Sequence, residues 1–167
     1  MLSLLTLLTA GLTVVVLMFL HEGAHYLSAK TMDLRVIGYG FKTERRVPYP
    51  YVEVSWTPDA RKRRIYLMAG VASTASLFGL LLLFTGLTPL TGIYLGFAAQ
   101  LILETNPVFS DFIILRRMAA GNGKPGGDDA DANSHLFTPE WYLHFTLWIG
   151  LVIVLLSPRF LLGVVMP

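Results

Sequence analysis

Two histidines and a glutamate stand close together in the stretch FLHEGAHYLS, residues 19–28. His21 and His25 are four residues apart, so on a helix they lie on one face, one turn apart. Imidazoles at this spacing can both reach one tetrahedral zinc ion at about 2.0–2.1 Å. Glu22 follows the first histidine directly and can approach the metal's open position without becoming a ligand. There it would accept a proton from water, which is the base role of a metalloprotease.

The position of these three residues in the chain favours a metal site over a chance match. They directly follow residues 2–20, which contain no charged side chain. Ionisable groups within a membrane cost roughly 2.5–3.5 kcal/mol each on insertion scales. Three such groups at metal-binding spacing are hard to explain without a metal ion.

The composition is that of a membrane protein rather than of a soluble domain. The chain has 167 residues, of which 54% are hydrophobic and only 14% are charged. Uncharged blocks cover 2–20, 65–103 and 141–158, and the second contains the helix breaker FTGLTPLTG. A bilayer core needs about 20 apolar residues in a helix. We therefore predict an all-α polytopic membrane protein, a single domain over 1–167, with spans at about 2–30, 65–85, 90–117 and 141–158.

A small β-hairpin is predicted between the first two spans, over about 34–56. The segments RVIGYGF and YVEVSW are rich in β-branched and aromatic residues, and a polar turn with prolines separates them. After the third span, the Gly- and Asp-rich segment 119–138 is predicted to be a mobile linker.

The basic residues indicate an orientation in the membrane. Of thirteen Lys and Arg, nine lie at 30–64, from the end of the first span to the start of the second, and three lie at 116–124, at and after the end of the third. The positive-inside rule makes both basic connections cytoplasmic and puts both termini outside, in the cell membrane. The same residues fit lipid headgroups better than a nucleic-acid surface. A cleaved signal peptide at 2–20 is the lesser alternative, because the segment lacks a basic start and a small-residue cleavage site.

A catalytic zinc needs a third protein ligand and an open fourth position. His135, His144 and Asp111 are the candidates. The first and third spans run in the same direction, so Asp111 reaches the depth of the HEGAH motif, which makes it the best candidate. His144 begins the fourth span at a similar depth and stays an alternative, whereas His135 lies in the linker.

The motif HEGAH at the end of an apolar helix, followed by NPVFSD at 106–111, resembles the site-2 protease family of intramembrane zinc metalloproteases. The resemblance covers about residues 10–118. It implies that His21, His25 and Asp111 bind one zinc ion and that Glu22 activates water. It also implies that Asn106 holds the substrate or the oxyanion.

Two positions depart from the family pattern. The family usually has glycine after the ligand Asp, where this chain has Phe112. A Gly-Pro-x-x-Asn element is common in the second span, and here GVAST places Thr74 at the Asn position. Pro107 is expected to kink the third span. Glu104 is interpreted either as a support or water-channel residue of the zinc site or as a hydrogen-bond link between helices.

The predicted function is hydrolysis of a peptide bond in or near a transmembrane segment of another membrane protein, near the cytoplasmic leaflet. The hairpin either offers an edge to an extended substrate or is a plain membrane-surface element. The main alternative is a non-proteolytic zinc-binding scaffold or inactive homologue. A metal transporter is less favoured, since the sequence shows no internal repeat.

Overall fold

The computed structural model describes residues 3–44, 47–85, 91–106, 110–119 and 139–156. It is mostly helical, with one two-stranded antiparallel sheet. The elements, in chain order, are α1 Leu4–Thr31, β1 Val36–Glu44, β2 Val47–Val54, α2 Ala60–Thr85, α3 Thr91–Glu104, α4 Asp111–Ala119 and α5 Pro139–Leu156.

Helix α1 is a single uninterrupted helix that carries the HEGAH motif near its C-terminal end. Ser3 caps its start, where the side-chain hydroxyl accepts a hydrogen bond from the backbone N–H of Thr6 at 3.1 Å. Within the described residues, α1 and residues Ala60–Phe84 of α2 are long and apolar enough to cross a membrane. Helical continuity from the apolar run into HEGAH, as predicted, fixes the one-turn relation of the two histidines.

Helix α2 begins at residue 60, five residues before the predicted start of the second span. Asp59 explains the difference, because its carboxylate accepts hydrogen bonds from the backbone N–H groups of Arg61 and Lys62 at 2.9 and 3.1 Å. A capping aspartate of this kind satisfies donors that the first helical turn leaves free. The basic residues 61–64 therefore lie on the helix rather than in the connection before it.

The predicted third span, 90–117, consists of two separate helices. With 14 residues, α3 is about 21 Å long, short of a hydrocarbon core of about 30 Å. Helix α3 ends at Glu104, and α4 begins at Asp111. Pro107, the expected cause of a kink, lies outside the described residues. The predicted fourth span corresponds to α5, and the predicted linker lies outside the described residues except for the last residue of α4.

The hairpin is confirmed within its predicted limits, but its strands are longer than expected. Prolines 48 and 50 were assigned to the turn, and that assignment is wrong, because both lie within β2 and pair with Thr43 and Phe41.

The orientation of β2 shows why these prolines are tolerated. Val52 has the same alternation as the two prolines, and its carbonyl accepts a hydrogen bond from the hydroxyl of Tyr66 in α2 at 2.8 Å. The backbone N–H and C=O positions of residues 48, 50 and 52 therefore point away from β1. A proline at such a position removes no donor from the ladder.

Helices α1 and α3 pack closely through glycines. A Cβ on Gly96 would overlap the side chain of Thr13 and lie 2.8 Å from the carbonyl oxygen of Ala10. A Cβ on Gly92, one turn earlier, would lie 2.8 Å from Cβ of Thr9. Small residues four apart let helix backbones approach within a membrane. This Gly-x-x-x-Gly contact was not predicted from the sequence.

Candidate metal centre

Two helices, α1 and α4, bring together two histidines and an aspartate. The Nε2 atoms of His21 and His25, both in α1, lie 3.1 Å apart. The Oδ2 atom of Asp111, in the first turn of α4, lies 3.1 Å from Nε2 of His25 and 3.4 Å from Nε2 of His21. The ligand atoms of this group lie within 4.8 Å of one another, and the group could hold a metal ion.

The partners of the other ring nitrogens determine what these three atoms can do. Nδ1 of His25 lies 2.7 Å from the backbone carbonyl of Tyr66, which can only accept a hydrogen bond. Nδ1 of His21 lies 2.8 Å from Oε1 of Glu104, which accepts when ionised. Each histidine thus donates through Nδ1 and, when neutral, presents a bare Nε2 lone pair. Two lone pairs and a carboxylate oxygen then face one another, an arrangement that a cation between them would stabilise.

The spacing of the three atoms fits a small metal ion. Tetrahedral bonds of about 2.0–2.1 Å place neighbouring ligand atoms about 3.3 Å apart, close to the 3.1–3.4 Å observed here. Two imidazoles and one carboxylate form a ligand set that zinc uses in hydrolases, although non-haem iron uses it as well. The residues present therefore fit a metal ion with an open coordination position.

A buried hydrogen-bond network supports His21. Oε1 of Glu104 accepts hydrogen bonds from Thr74 at 2.7 Å and from Gln100 at 3.0 Å, in addition to its contact with His21. Thr74 belongs to α2, whereas Gln100 and Glu104 belong to α3, so the network joins three helices. Thr74, which was discussed above as a departure from a sequence pattern, donates its hydroxyl hydrogen to Glu104.

Gly70 leaves the space that the ring of His21 occupies. A Cβ built at this position would overlap the imidazole ring. In the sequence, Gly70 is only the first residue of GVAST. No local pattern predicts that a histidine from another helix occupies the space beside it.

Glu22 lies beside the metal centre and is not one of the three grouped ligands. Its carboxylate is within electrostatic range of His25, His21 and Asp111, and close to the backbone of Val52 in β2. It is half-buried. This is the arrangement expected of a base that reaches the metal's open side.

An open pocket of about 370 Å³ borders Glu22. It lies between α1 and the hairpin, whose aromatic residues bridge the two elements. The ring of Phe41 contacts Phe19 with centroids 5.8 Å apart, and Tyr39 contacts Tyr26 at 6.0 Å. The hairpin therefore covers α1 at the level of HEGAH.

The remaining candidates occupy other positions. His144 is buried, with Nδ1 2.9 Å from the carbonyl of Ile102 and Nε2 accepting from Trp148 at 3.2 Å, so neither nitrogen is presented to the metal group. His135 lies outside the described residues. Asn106 precedes α4, where its backbone carbonyl accepts from the N–H of Ser110 at 3.2 Å. That bond orients the chain entering Asp111.

No protein-family model, curated protein or solved structure matches the chain.

Proposed function

We propose that the chain is a membrane-embedded zinc metalloprotease, similar to site-2 proteases, that hydrolyses a peptide bond in or near a transmembrane segment of another protein. The observation that carries the proposal is the group of three facing acceptor atoms from His21, His25 and Asp111. Glu22 beside this group adds the base that hydrolysis needs. A metal site with purely structural ligands would have no use for that carboxylate.

The distribution of apolar side chains supports a location in the bilayer. The interior holds polar residues such as Thr74, Gln100 and Glu104, whereas Leu83 and Phe84 at the end of α2 are 80% and 83% exposed. In the most apolar 18-residue segments of α1 and α2, only 6% and 22% of the segment is buried. The core helix of a soluble protein would be mostly buried. Buried polar groups and an apolar exterior suit a lipid solvent.

The proposed orientation puts the basic connections on the cytoplasmic side. HEGAH lies near the C-terminal end of α1, which leads into the basic segment 30–64, so the metal centre would lie toward the cytoplasmic leaflet. Cleavage there would release a cytosolic fragment.

The proposed chemistry assigns a separate task to each residue. His21, His25 and Asp111 hold the zinc ion, which when bound polarises a carbonyl and lowers the pKa of water. Glu22 accepts the proton of the attacking water and delivers it to the leaving amine. Asn106 is proposed to hold the substrate or the oxyanion.

The pocket beside Glu22 gives a substrate a path to the base. Its walls include Phe19, Phe41 and Tyr51, so it would accept apolar residues of a transmembrane segment. A helical peptide bond is shielded by its own hydrogen bonds, and the substrate must unwind locally before it is cut. The hairpin above the pocket is the nearest element that could contact the unwound segment.

Metal content and cleavage, measured on matched variants, test the proposal. Elemental mass spectrometry on the purified chain should find about one zinc per chain and little iron, with a strong reduction in Asp111→Ala. Glu22→Gln should keep the zinc and lose cleavage of a labelled single-span substrate in vesicles, typically by 100-fold or more.

Other results would favour other functions. Zinc binding without any cleavage by the wild-type chain would favour the scaffold. Cleavage that persists in Glu22→Gln would remove Glu22 from the mechanism. A well-folded chain without zinc would contradict the metalloprotease.

A further inference from the structure

The two histidines of the metal centre are held by different kinds of acceptor. His25 donates to a backbone carbonyl, that of Tyr66, which is neutral and present whatever the side chain at that position. His21 faces the carboxylate of Glu104, a charged side chain from another helix. The side chain of Glu104 is only 3% exposed. Only one of the two ligands is therefore supported by a buried charge.

Helix packing alone does not explain a carboxylate at position 104. Oε1 accepts all three hydrogen bonds of the network, while Oε2 is buried and has no hydrogen-bond partner among the described residues. Burial of a charge that is only partly hydrogen-bonded is costly. A neutral glutamine could accept from Thr74 and His21 at a lower desolvation cost. The cost is offset if a positive charge lies nearby.

The charges around His21 indicate what that positive charge is. His21 contacts two carboxylates, Glu104 through Nδ1 and Asp111 through Nε2. A proton on His21 would balance only one of these two negative charges, whereas one divalent cation at Nε2 would balance both. A carboxylate that accepts the far N–H of a metal-bound histidine also fixes the tautomer and raises the basicity of the ligand nitrogen.

We propose that Glu104 is a positioning residue of the metal centre, which holds His21 in the Nδ1–H tautomer and supplies half of the charge that balances a divalent cation. Thr74 and Gln100 keep its Oε1 in place from α2 and α3. The proposal rests on the metal centre described above and does not depend on proteolysis.

Zinc affinity of the purified full chain in detergent, measured by competition with a chromogenic chelator, tests this role. Glu104→Gln keeps an acceptor but removes the charge, and we expect its zinc dissociation constant to rise about 10–100-fold. Glu104→Leu removes both and should weaken binding further. Thr105→Val is the matched control, because the Thr105 hydroxyl is also buried in this part of the chain but donates to the carbonyl of Leu101.

The tautomer of His21 gives a readout that a merely structural role would not change. Nitrogen-15 spectra of the labelled histidine rings should show His21 protonated at Nδ1 in the wild type. The signal should shift toward the other tautomer in Glu104→Leu, whereas Thr105→Val should match the wild type.

Each outcome separates this role from its alternatives. Wild-type affinity in a folded Glu104→Gln chain would overturn the proposal while leaving the metal centre intact. If Glu104→Leu does not fold, Glu104→Gln still decides, because it changes charge with almost no change in shape. A folded wild-type chain that binds no zinc would contradict both the centre and the role of Glu104.

Discussion

Helix α1 contacts its neighbours through glycines at both ends, with different consequences. Near its start, Gly96 of α3 lies against Thr13 and the backbone of Ala10, a contact between hydrocarbon and carbonyl groups that only holds two helices together. Near its end, Gly70 of α2 lies against the ring of His21, whose Nε2 faces the metal group. A close glycine contact therefore joins two helices at Gly96, whereas at Gly70 it positions the ring of a candidate metal ligand. Equal substitutions should therefore have unequal effects on metal binding.

Gly70→Ala should have the largest effect on metal binding. The added methyl group would overlap the imidazole of His21, whose two nitrogens contact Glu104 and Asp111. Displacement of His21 would break its contact with Glu104 and move Nε2 away from Asp111. We expect zinc affinity to fall by roughly 10–100-fold or more, measured by chelator competition, with helical content in circular dichroism retained.

Gly79→Ala is the matched control in the same helix. A Cβ there meets nothing within 4 Å. An exposed helical Gly→Ala change should stabilise the fold by about 0.5–1 kcal/mol and leave zinc affinity unchanged. Loss of zinc in both variants would show that α2 tolerates no change, and the steric explanation for Gly70 would fail.

Gly96→Ala should show the reverse pattern, a loss of stability without a comparable loss of zinc affinity. The methyl group must push α3 away from α1, and such overpacking costs about 1–3 kcal/mol. Thermal unfolding in detergent, with zinc bound in excess, would measure the destabilisation. Gly11→Ala adds a methyl in open space on α1 and should not destabilise. Equal zinc loss in Gly96→Ala and Gly70→Ala would contradict the division of α1 into two functionally different ends.

The positions of the candidate ligands can be predicted from the sequence, whereas the contacts that support them cannot. The spacing of His21 and His25 predicts their shared helical face, and the direction of the spans predicts that Asp111 reaches the same depth. Both predictions are consistent with the observed group, because they depend only on helix periodicity and chain direction. The choice of Asp111 over His144 is supported by the partners that both ring nitrogens of His144 have.

The supporting contacts could not be predicted in the same way. The contact of Gly70 with His21 and the acceptor role of the Tyr66 carbonyl depend on how α2 is rotated against α1, and an apolar helix with small residues on several faces leaves that rotation open. The prolines of β2 were misplaced for a related reason. Proline suggests a turn, but which way a strand's N–H groups point is set by tertiary contacts such as that of Val52 with Tyr66.

Tyr66→Phe tests whether the hairpin helps to hold the metal ligands. Its effect on stability is expected to be smaller than that of Gly96→Ala. The change removes the 2.8 Å hydrogen bond from the hydroxyl to Val52 but leaves the backbone carbonyl that accepts from His25. We expect a loss of stability of about 0.5–1.5 kcal/mol in thermal unfolding and an unchanged zinc dissociation constant. A weakened zinc site in this variant would mean that the hairpin helps to hold the ligands, and that the metal end of α1 includes the sheet.

The smallest effect is expected at Asp59, the exposed capping residue at the start of α2. Hydrogen bonds from the backbone N–H groups of Lys62 and Arg61 lower the pKa of the exposed Asp59 carboxyl below its ordinary 3.8. A carboxyl with a lowered pKa in the folded state contributes stability above its unfolded pKa and loses it as the pH falls through the folded value. Asp59→Asn keeps a capping oxygen without the charge. The wild type should therefore unfold at a slightly higher temperature than this variant at neutral pH, the difference should close below about pH 3.8, and zinc content at neutral pH should be equal. A difference in unfolding temperature that persists in acid would assign the effect to the shape of the cap rather than to its charge. A change in zinc content would show that metal binding depends even on the exposed end of α2.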